Sequence, residues 1–178
     1  MHTNIALFYG SSTCYTEMAA EKISTKLAET TGPDTVDMFN VADTDLDVIN
    51  DYTHIIMGIP TWDYGELQED WEALWDTIDT LNLDGKTIAL FGLGDQIGYP
   101  QWFQDAMGYL HDKLVLQGAT MVGYWPVEGY TFEASQALTE DEQKFVGLAL
   151  DEENEFDKTE QRILTWSDSV LRSFGFID

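Results

Sequence analysis

The sequence predicts an α/β fold in three layers, a parallel sheet with helices covering both of its faces. Short apolar segments that suit buried strands alternate along the chain with longer amphipathic segments that suit helices. The chain has 178 residues, close to the usual size of one domain, and neither an internal repeat nor a linker divides it. We therefore expect a single domain over residues 1–178 with one hydrophobic core.

The predicted strands are compact apolar runs, as expected for strands that are buried on both faces. The first, 4–9, ends in Gly10 and a cluster of hydroxyl side chains, and the third, 54–59, is closed by Pro60. The other predicted strands cover 35–39, 87–91 and 119–124. Together they provide five strands for one parallel sheet.

The predicted helices are recognised by apolar residues that recur every three or four positions. The first, 16–29, carries Ala20, Ile23 and Leu27 on one face. The second has the most regular apolar stripe, formed by Leu67, Trp71, Leu74, Trp75, Ile78 and Leu81. The same spacing predicts helices over 103–114 and 163–174.

One segment breaks the alternation of strands and helices. Residues from about 125 to 143 show neither period, and a strand-like run resumes over 144–150. We therefore expect a loop inserted into the fifth strand, or placed just after it.

The charge of the chain restricts its partners. It has 33 Asp and Glu against 8 Lys and Arg, a formal net charge of −25. Such a surface repels phosphate backbones and anionic lipids, so no nucleic acid and no membrane insertion are expected. A basic protein surface, attracted over a long range, is the expected partner. The single cysteine excludes an internal disulfide, and without a signal peptide or an apolar run of spanning length the chain is expected to be cytoplasmic.

The loop after the first predicted strand has the composition of an anion site. Ser11, Ser12, Thr13 and Thr16 place four hydroxyl groups within six residues, just before a helix. Backbone N–H groups at a helix N-terminus bind anions, and hydroxyl groups add neutral donors. Since no Lys or Arg occurs in residues 1–21, a phosphate here would be held by neutral donors alone. The alternative is ordinary helix capping by one hydroxyl.

Two more loops, 60–66 and 92–99, carry aromatic residues at the same edge of the predicted sheet. Ligands bind at the carboxyl ends of the strands in open parallel sheets. Trp62 and Tyr64 lie in the first of these loops, and Tyr99 ends the second. A single loop aromatic usually serves packing, but aromatic residues on two adjacent loops beside an anion site predict a planar ring held between side chains.

Taken in order, these motifs resemble those of the flavodoxin family in its long-chain form. The segment 11–16, Ser-Ser-Thr-Cys-Tyr-Thr, is similar to the family's phosphate loop, usually Thr/Ser-x-Thr-Gly-x-Thr. Residues 60–71 resemble the second flavin loop with its following helix, and 94–99 resembles the third flavin loop. The run 144–151 is similar to the segment after the long-chain insertion. The resemblance covers nearly the whole chain.

The resemblance implies a flavodoxin-like sandwich whose five parallel strands have the order 2-1-3-4-5. It also implies a non-covalently bound FMN, with its phosphate in the loop 11–16 and its ring between Trp62 and Tyr99. The residues implied to bind the cofactor are Ser11, Ser12, Thr13, Cys14, Tyr15, Thr16, Thr61, Trp62, Asp63, Tyr64, Gly65, Leu93, Gly94, Asp95 and Tyr99.

A flavodoxin is an electron-transfer protein rather than an enzyme. The resemblance implies a low-potential one-electron carrier whose FMN cycles between semiquinone and hydroquinone, with the protein setting the potentials. Asp63 and Asp95, beside the ring, would disfavour its anionic reduced form. The implied partners are basic faces of redox proteins, such as a ferredoxin/flavodoxin–NADP reductase and photosystem I-type or other ferredoxin-dependent acceptors. A monomer is expected.

Two departures from the family pattern leave alternatives open. Cys14 stands at the usual glycine position of the phosphate loop, and Tyr15 at the usual asparagine. If the glycine position requires a backbone conformation that other residues disfavour, FMN binding would be weaker. The alternatives are a flavodoxin-like NAD(P)H:quinone reductase, which would turn over with NAD(P)H alone, and a non-redox interaction module that has lost its flavin.

Overall fold

The structure is a computed structural model and describes residues 2–178. The strands are β1 (His2–Tyr9), β2 (Val36–Asn40), β3 (Tyr52–Trp62), β4 (Glu66–Leu67), β5 (Thr87–Leu93), β6 (Thr120–Val122), β7 (Trp125–Pro126), β8 (Lys144–Phe145) and β9 (Leu148–Leu150). The α-helices are α1 (Tyr15–Thr31), α2 (Glu69–Ile78), α3 (Asp105–Leu116), α4 (Glu152–Glu155) and α5 (Thr159–Phe174). Short 3₁₀ helices cover Leu46–Asp51 and Phe156–Lys158.

The main sheet is parallel, and its strands have the order β2-β1-β3-β5-β6. β5 pairs with two partners on its outer side: residues 87–89 pair with β6, and residues 91–93 pair with β9. β6 and β9 are therefore two halves of one strand, and the segment between them is inserted into it. The predicted strand order and the insertion into the fifth strand are both confirmed.

The two halves of the fifth strand are shorter than predicted. β6 ends at Val122, because Gly123 has a φ of +79° and its carbonyl accepts a hydrogen bond from Trp166 Nε1 at 2.8 Å. The predicted run 144–150 is divided as well. Its first part, β8, pairs antiparallel with β7 in a small separate sheet, and only β9 joins the main sheet.

The third strand is longer than predicted. It was expected to close at Pro60, because proline has no N–H to donate to a neighbouring strand. Instead β3 continues to Trp62, where residues 61 and 62 turn into an antiparallel pairing with β4. The following helix begins at Glu69 rather than at residue 67, since the side chain of Gln68 caps it.

The core lies in two layers, one on each face of the sheet. Side chains of β1 alternate between them: Ile5 and Leu7 face α1 and α5, whereas Ala6 and Phe8 face the layer of α2 and α3. All four side chains are fully buried, which explains the continuous apolar run of this strand. Within residues 2–178, no helix has both the length and the apolar composition needed to cross a bilayer.

The insertion packs over α3 through an aromatic cluster and a backbone contact. Tyr130, Phe132 and Phe145 surround Phe103, with ring centroids 5.6–5.9 Å from that of Phe103. Gly108 of α3 leaves room for the insertion's main chain, since a Cβ there would lie 2.1 Å from the carbonyl oxygen of residue 136. The insertion is therefore a packed part of the fold.

His54 makes the stability of the fold sensitive to acid. Its ring packs against Phe174 and Phe176, with centroids 5.0 and 5.4 Å away, and its buried Nδ1 has no hydrogen-bond partner within the part of the chain that the structure describes. Burial lowers the pKa of His54 below its usual 6.5. As the pH falls below 6.5, His54 takes up a proton more readily in the unfolded chain than in the folded protein. The free energy of unfolding therefore decreases. We expect His54→Leu to lose less stability than the wild type between about pH 7 and about pH 5 in urea unfolding. Parallel stability curves for the two proteins would contradict this role.

Candidate functional site

A cavity of about 200 Å³ lies at the carboxyl edge of the sheet. The loops that follow β1, β3 and β5 converge there, together with the start of α4. The residues that line it are Thr13, Tyr15, Thr16, Pro60, Thr61, Trp62, Asp63, Leu93, Gly94, Asp95, Tyr99, Glu152 and Glu153. The topology thus brings together the three loops that carry the sequence motifs.

The predicted site residues fall into two groups in the structure. Those that line the cavity are Thr13, Tyr15, Thr16, Thr61, Trp62, Asp63, Leu93, Gly94, Asp95 and Tyr99. Those that do not line it are Ser11, Ser12, Cys14, Tyr64 and Gly65. Tyr64 is 65% exposed and packs edge-on against Tyr99 and Trp102, so it supports a wall of the cavity from outside.

Sequence reasoning missed Pro60, Glu152 and Glu153 as cavity residues. Both glutamates lie in the first turn of α4, directly after β9. Their position could have been found, because β9 is the second half of the fifth strand and its carboxyl end lies at the same edge of the sheet. The missing step was to treat the run 144–150 as a strand with its own ligand-side loop.

The loop between β1 and α1 is built to receive an anion. The first N–H groups of a helix have no partner within the helix, and those of α1 lie at this loop. The buried hydroxyl oxygen of Ser11 has no hydrogen-bond partner among residues 2–178, although such oxygens are usually satisfied. Cys14, at the N-cap, offers no side-chain hydrogen bond to the helix. The unpaired N–H and O–H donors of this loop, which itself has no Lys or Arg, suit a phosphate group held by neutral hydrogen bonds.

Three aromatic residues line the cavity: Tyr15 at the start of α1, and Trp62 and Tyr99 from the other two loops. Trp62, at the end of β3, is 37% exposed, and Tyr99 follows β5. The Asp63 carboxylate, beside the Tyr99 hydroxyl, raises the pKa of Tyr99. Asp63 itself has a φ of +42°. The edge-on packing of Tyr64 against Tyr99 joins the loops after β3 and β5.

The loop after β5 is held by hydrogen bonds that come from the insertion and from α4. Asp95 Oδ1 accepts from the backbone N–H of Gly98 at 2.7 Å and from Asn154 Nδ2 at 2.7 Å. The buried side chain of Gln96 donates to Asp151 Oδ2 at 2.9 Å and accepts from the N–H of Thr131 at 2.5 Å. Tyr99 therefore stands on a loop fixed from behind by residues that are distant in sequence.

The cavity is strongly acidic. Four carboxylates line it, those of Asp63, Asp95, Glu152 and Glu153, and its lining within residues 2–178 includes no Lys or Arg. Each carboxylate within several ångströms disfavours a second negative charge by about 1 kcal/mol or more near a protein surface. A ligand that becomes anionic in this cavity is therefore destabilised relative to its neutral form.

A wider groove of about 500 Å³ lies between α1 and α5. Its lining mixes apolar and charged side chains, such as Met18, Lys26 and Ile163. Within residues 2–178 it includes no aromatic residue and no residue of a strand-end loop. It is a groove between two neighbouring surface helices. The chemistry of the motifs is concentrated in the smaller cavity.

Cys14 carries the backbone strain that its sequence position suggested. Its φ is +69°, in the left-handed region that costs a residue with a Cβ about 1 kcal/mol or more. We expect Cys14→Gly to raise the free energy of unfolding by about 1 kcal/mol. Cys14→Ser retains the Cβ and is the matched control, for which no such gain is expected. Equal stabilities of the glycine and serine variants in denaturant unfolding would contradict this explanation.

Comparison with known proteins identifies the family. The family model described as flavodoxin matches residues 7–166. The chain is 55% identical over 168 residues to flavodoxin 2 of Salmonella typhi, covering 94% of this chain and 95% of that protein. It is 46% identical over 171 residues to a flavodoxin of Synechococcus elongatus, covering 96% and 98%.

A solved structure gives the same result. The flavodoxin of Fusobacterium nucleatum, bound to flavin mononucleotide, superposes with a TM-score of 0.88 at 30% sequence identity, covering 96% of this chain and 98% of that chain. The agreement in sequence and in fold extends over nearly the whole chain. The chain belongs to the flavodoxin family.

Proposed function

We propose that this protein carries electrons one at a time between redox proteins, using an FMN that it binds non-covalently in the acidic cavity. The observation that carries the proposal is the buried Ser11 hydroxyl, which finds no hydrogen-bond partner in the described part of the chain. It lies in the loop that leads into α1, next to a cavity faced by Trp62 and Tyr99. A phosphorylated ligand with a flat ring matches both parts. FMN, when bound, supplies the chemistry of one-electron transfer.

The residues of the chain fit this cofactor in three ways. Hydroxyl and backbone N–H donors of residues 11–16 would hold the phosphate, while Trp62 and Tyr99 would enclose the ring and exclude water. Thr61, Asp63, Gly94 and Asp95 would contact the ring edge and the ribityl chain. Tyr64 and Gly65 would act by shaping the second loop, since Gly65 has a φ of +85° and lies close to Asp105.

The acidic surface supports partners with basic docking faces, such as a ferredoxin/flavodoxin–NADP reductase or photosystem I-type and other ferredoxin-dependent acceptors. Attraction between opposite charges accelerates association and weakens as salt screens it. We expect the rate of electron transfer to such a partner to fall as ionic strength rises. The protein would act as a cytoplasmic monomer with a single domain over residues 1–178.

Binding of FMN and riboflavin to the apoprotein tests the proposal. Both flavins offer the same ring, so a difference between their dissociation constants reports on the phosphate. We expect FMN to bind at least about tenfold more tightly than riboflavin. Ser11→Ala is expected to weaken the binding of FMN and to leave that of riboflavin unchanged, because it removes a hydrogen-bond donor that only the phosphate would use. Failure of the wild type to bind FMN, or steady oxidation of NAD(P)H by the protein alone, would overturn the proposal.

A further inference from the structure

Gln68 lies buried behind the loop 11–16, at the start of α2, and is 1% exposed. Its side-chain Nε2 donates to Ser12 Oγ at 3.1 Å and to Asp70 Oδ2 at 2.7 Å. Its Oε1 accepts from the backbone N–H of Trp71 at 3.3 Å. One buried amide thus connects the helix after the second loop with a hydroxyl of the first.

The orientation of this amide is determined by its other partners. The N–H of Trp71 can only donate, so the oxygen of the Gln68 amide faces it. The Asp70 carboxylate can only accept, so the nitrogen faces that side. The group directed at Ser12 is therefore an NH₂ group, which donates and cannot accept.

The amide is also held in place by packing. A Cβ on Gly10 would lie 2.4 Å from Gln68 Oε1 and 2.8 Å from the Trp71 ring, so the main chain of β1's end rests directly on both side chains. Trp71 Nε1 donates to the carbonyl of Gly58 at 3.0 Å, and the N–H of Gly10 reaches the same carbonyl at 3.4 Å. The end of β1, the middle of β3 and the start of α2 therefore pack together around Gln68.

We infer that Gln68 is a positioning residue for phosphate binding, which it controls by fixing the direction of the Ser12 hydroxyl. Because Ser12 Oγ accepts a hydrogen bond from the amide, its own proton is left to donate elsewhere. Ser12 is exposed in the loop, so its proton can reach a bound phosphate. The phosphate belongs to the proposed function, and the inference therefore rests on that function. No Lys or Arg stands in residues 1–21, so each neutral donor matters for affinity.

Gln68→Glu tests the inference because it preserves shape and reverses the hydrogen bond. A carboxylate accepts, so the Ser12 proton would turn towards residue 68 and away from the phosphate. We expect the affinity for FMN to fall about 10- to 100-fold, the equivalent of one hydrogen bond to a charged group, and that for riboflavin to change less than about threefold. Equal losses for FMN and riboflavin, which a merely structural role would produce, would overturn the inference.

A double-mutant cycle with Ser12→Ala separates orientation from simple charge repulsion. In the Ser12→Ala background, Gln68→Glu is expected to weaken FMN at least about threefold less than in the Ser12 background. Identical losses in both backgrounds would show that the new charge acts directly and would overturn the inference. Urea unfolding of the apoprotein shows whether Gln68→Glu is folded. If it is not, the neutral variant Gln68→Met takes its place in the same cycle. Additive losses of FMN affinity in that cycle would then overturn the inference. A wild type that does not distinguish FMN from riboflavin would refute the proposed function itself, before any variant is compared.

Discussion

Neutralising the carboxylates around the cavity raises the potential of the second one-electron reduction. We expect Asp63→Asn alone to raise it by about 40 mV, since about 1 kcal/mol of repulsion is removed and about 59 mV corresponds to 1.4 kcal/mol. Neutralising Asp63, Asp95, Glu152 and Glu153 together is expected to raise it by more than about 100 mV. The second electron adds negative charge to a cavity whose lining has four carboxylates and no cation within residues 2–178.

Anaerobic potentiometric titration of the FMN-loaded protein measures this effect. The control is Glu29→Gln, which removes the same charge near the carboxyl end of α1, outside the cavity lining. A small, salt-sensitive shift is expected for the control, because exposed charges farther away than about 10 Å are screened. An unchanged or lower potential for Asp63→Asn, or an equal shift for Glu29→Gln, would contradict the electrostatic account.

Of the substitutions proposed, Gly108→Ala is expected to lower the free energy of unfolding the most. A Cβ at this position of α3 would lie 2.1 Å from the carbonyl oxygen of residue 136 and 2.8 Å from the N–H nitrogen of Ala137. Both contacts are with backbone, so neither can be relieved by turning a side chain. Either α3 or the insertion must move, and overpacking of this kind costs about 3 kcal/mol.

Urea unfolding of the apoprotein measures this loss. Gly129→Ala is the matched control within the insertion, since a Cβ there meets no atom of the described residues within 4 Å and only its φ of +93° disfavours alanine. We expect Gly129→Ala to cost about 1 kcal/mol. Equal costs at the two positions would mean that the insertion is not seated on α3 as the structure places it.

The same substitution connects the insertion with the cavity. The amide of Gln96 accepts from Thr131 of the insertion, and the carbonyl of Pro100 accepts from the N–H groups of Glu133 and Ala134 at 2.8 and 3.0 Å. A displaced insertion would loosen the loop that carries Tyr99. The affinity of Gly108→Ala for FMN and for riboflavin should therefore fall together, unlike the phosphate-specific losses expected at Ser11 and Gln68.

Local sequence patterns were sufficient for the sheet and its helices. Strands such as β1 are apolar throughout because both faces are buried, and the stripe of Ala20, Ile23 and Leu27 marks the buried side of α1. Such signals depend on neighbouring residues alone. The strand order came from the family resemblance, and the structure agrees with it.

Features that depend on contacts between distant segments were not predictable from these patterns. Nothing within β8 indicates that it pairs with β7 rather than with β5, since that choice depends on how the insertion folds back. Gln68 and Gln104 gave no signal either, although both are buried. Gln104 has a φ of +65°, and its amide donates to the carbonyl of Leu150 at 3.1 Å. A buried glutamine is recognised only when its partners are known.

The candidate site was accessible to sequence reasoning to the extent that its residues lie in strand-end loops. Trp62, Asp95 and Tyr99 follow predicted strands directly, and the structure brings them to one cavity. Glu152 and Glu153 were missed because the second half of a divided strand was not followed to its own loop. The position of Cys14 in the family motif suggested that its backbone is strained. The strain itself is seen only in its φ angle.

Stepwise anaerobic reduction of the FMN-loaded protein, followed by its visible spectrum, tests the central claim most directly. A one-electron carrier is expected to take up its two electrons in separate steps, with a distinct spectrum after the first. Direct bleaching in a single two-electron step would contradict the claim and favour a reductase, as would a colourless protein that does not take up added FMN.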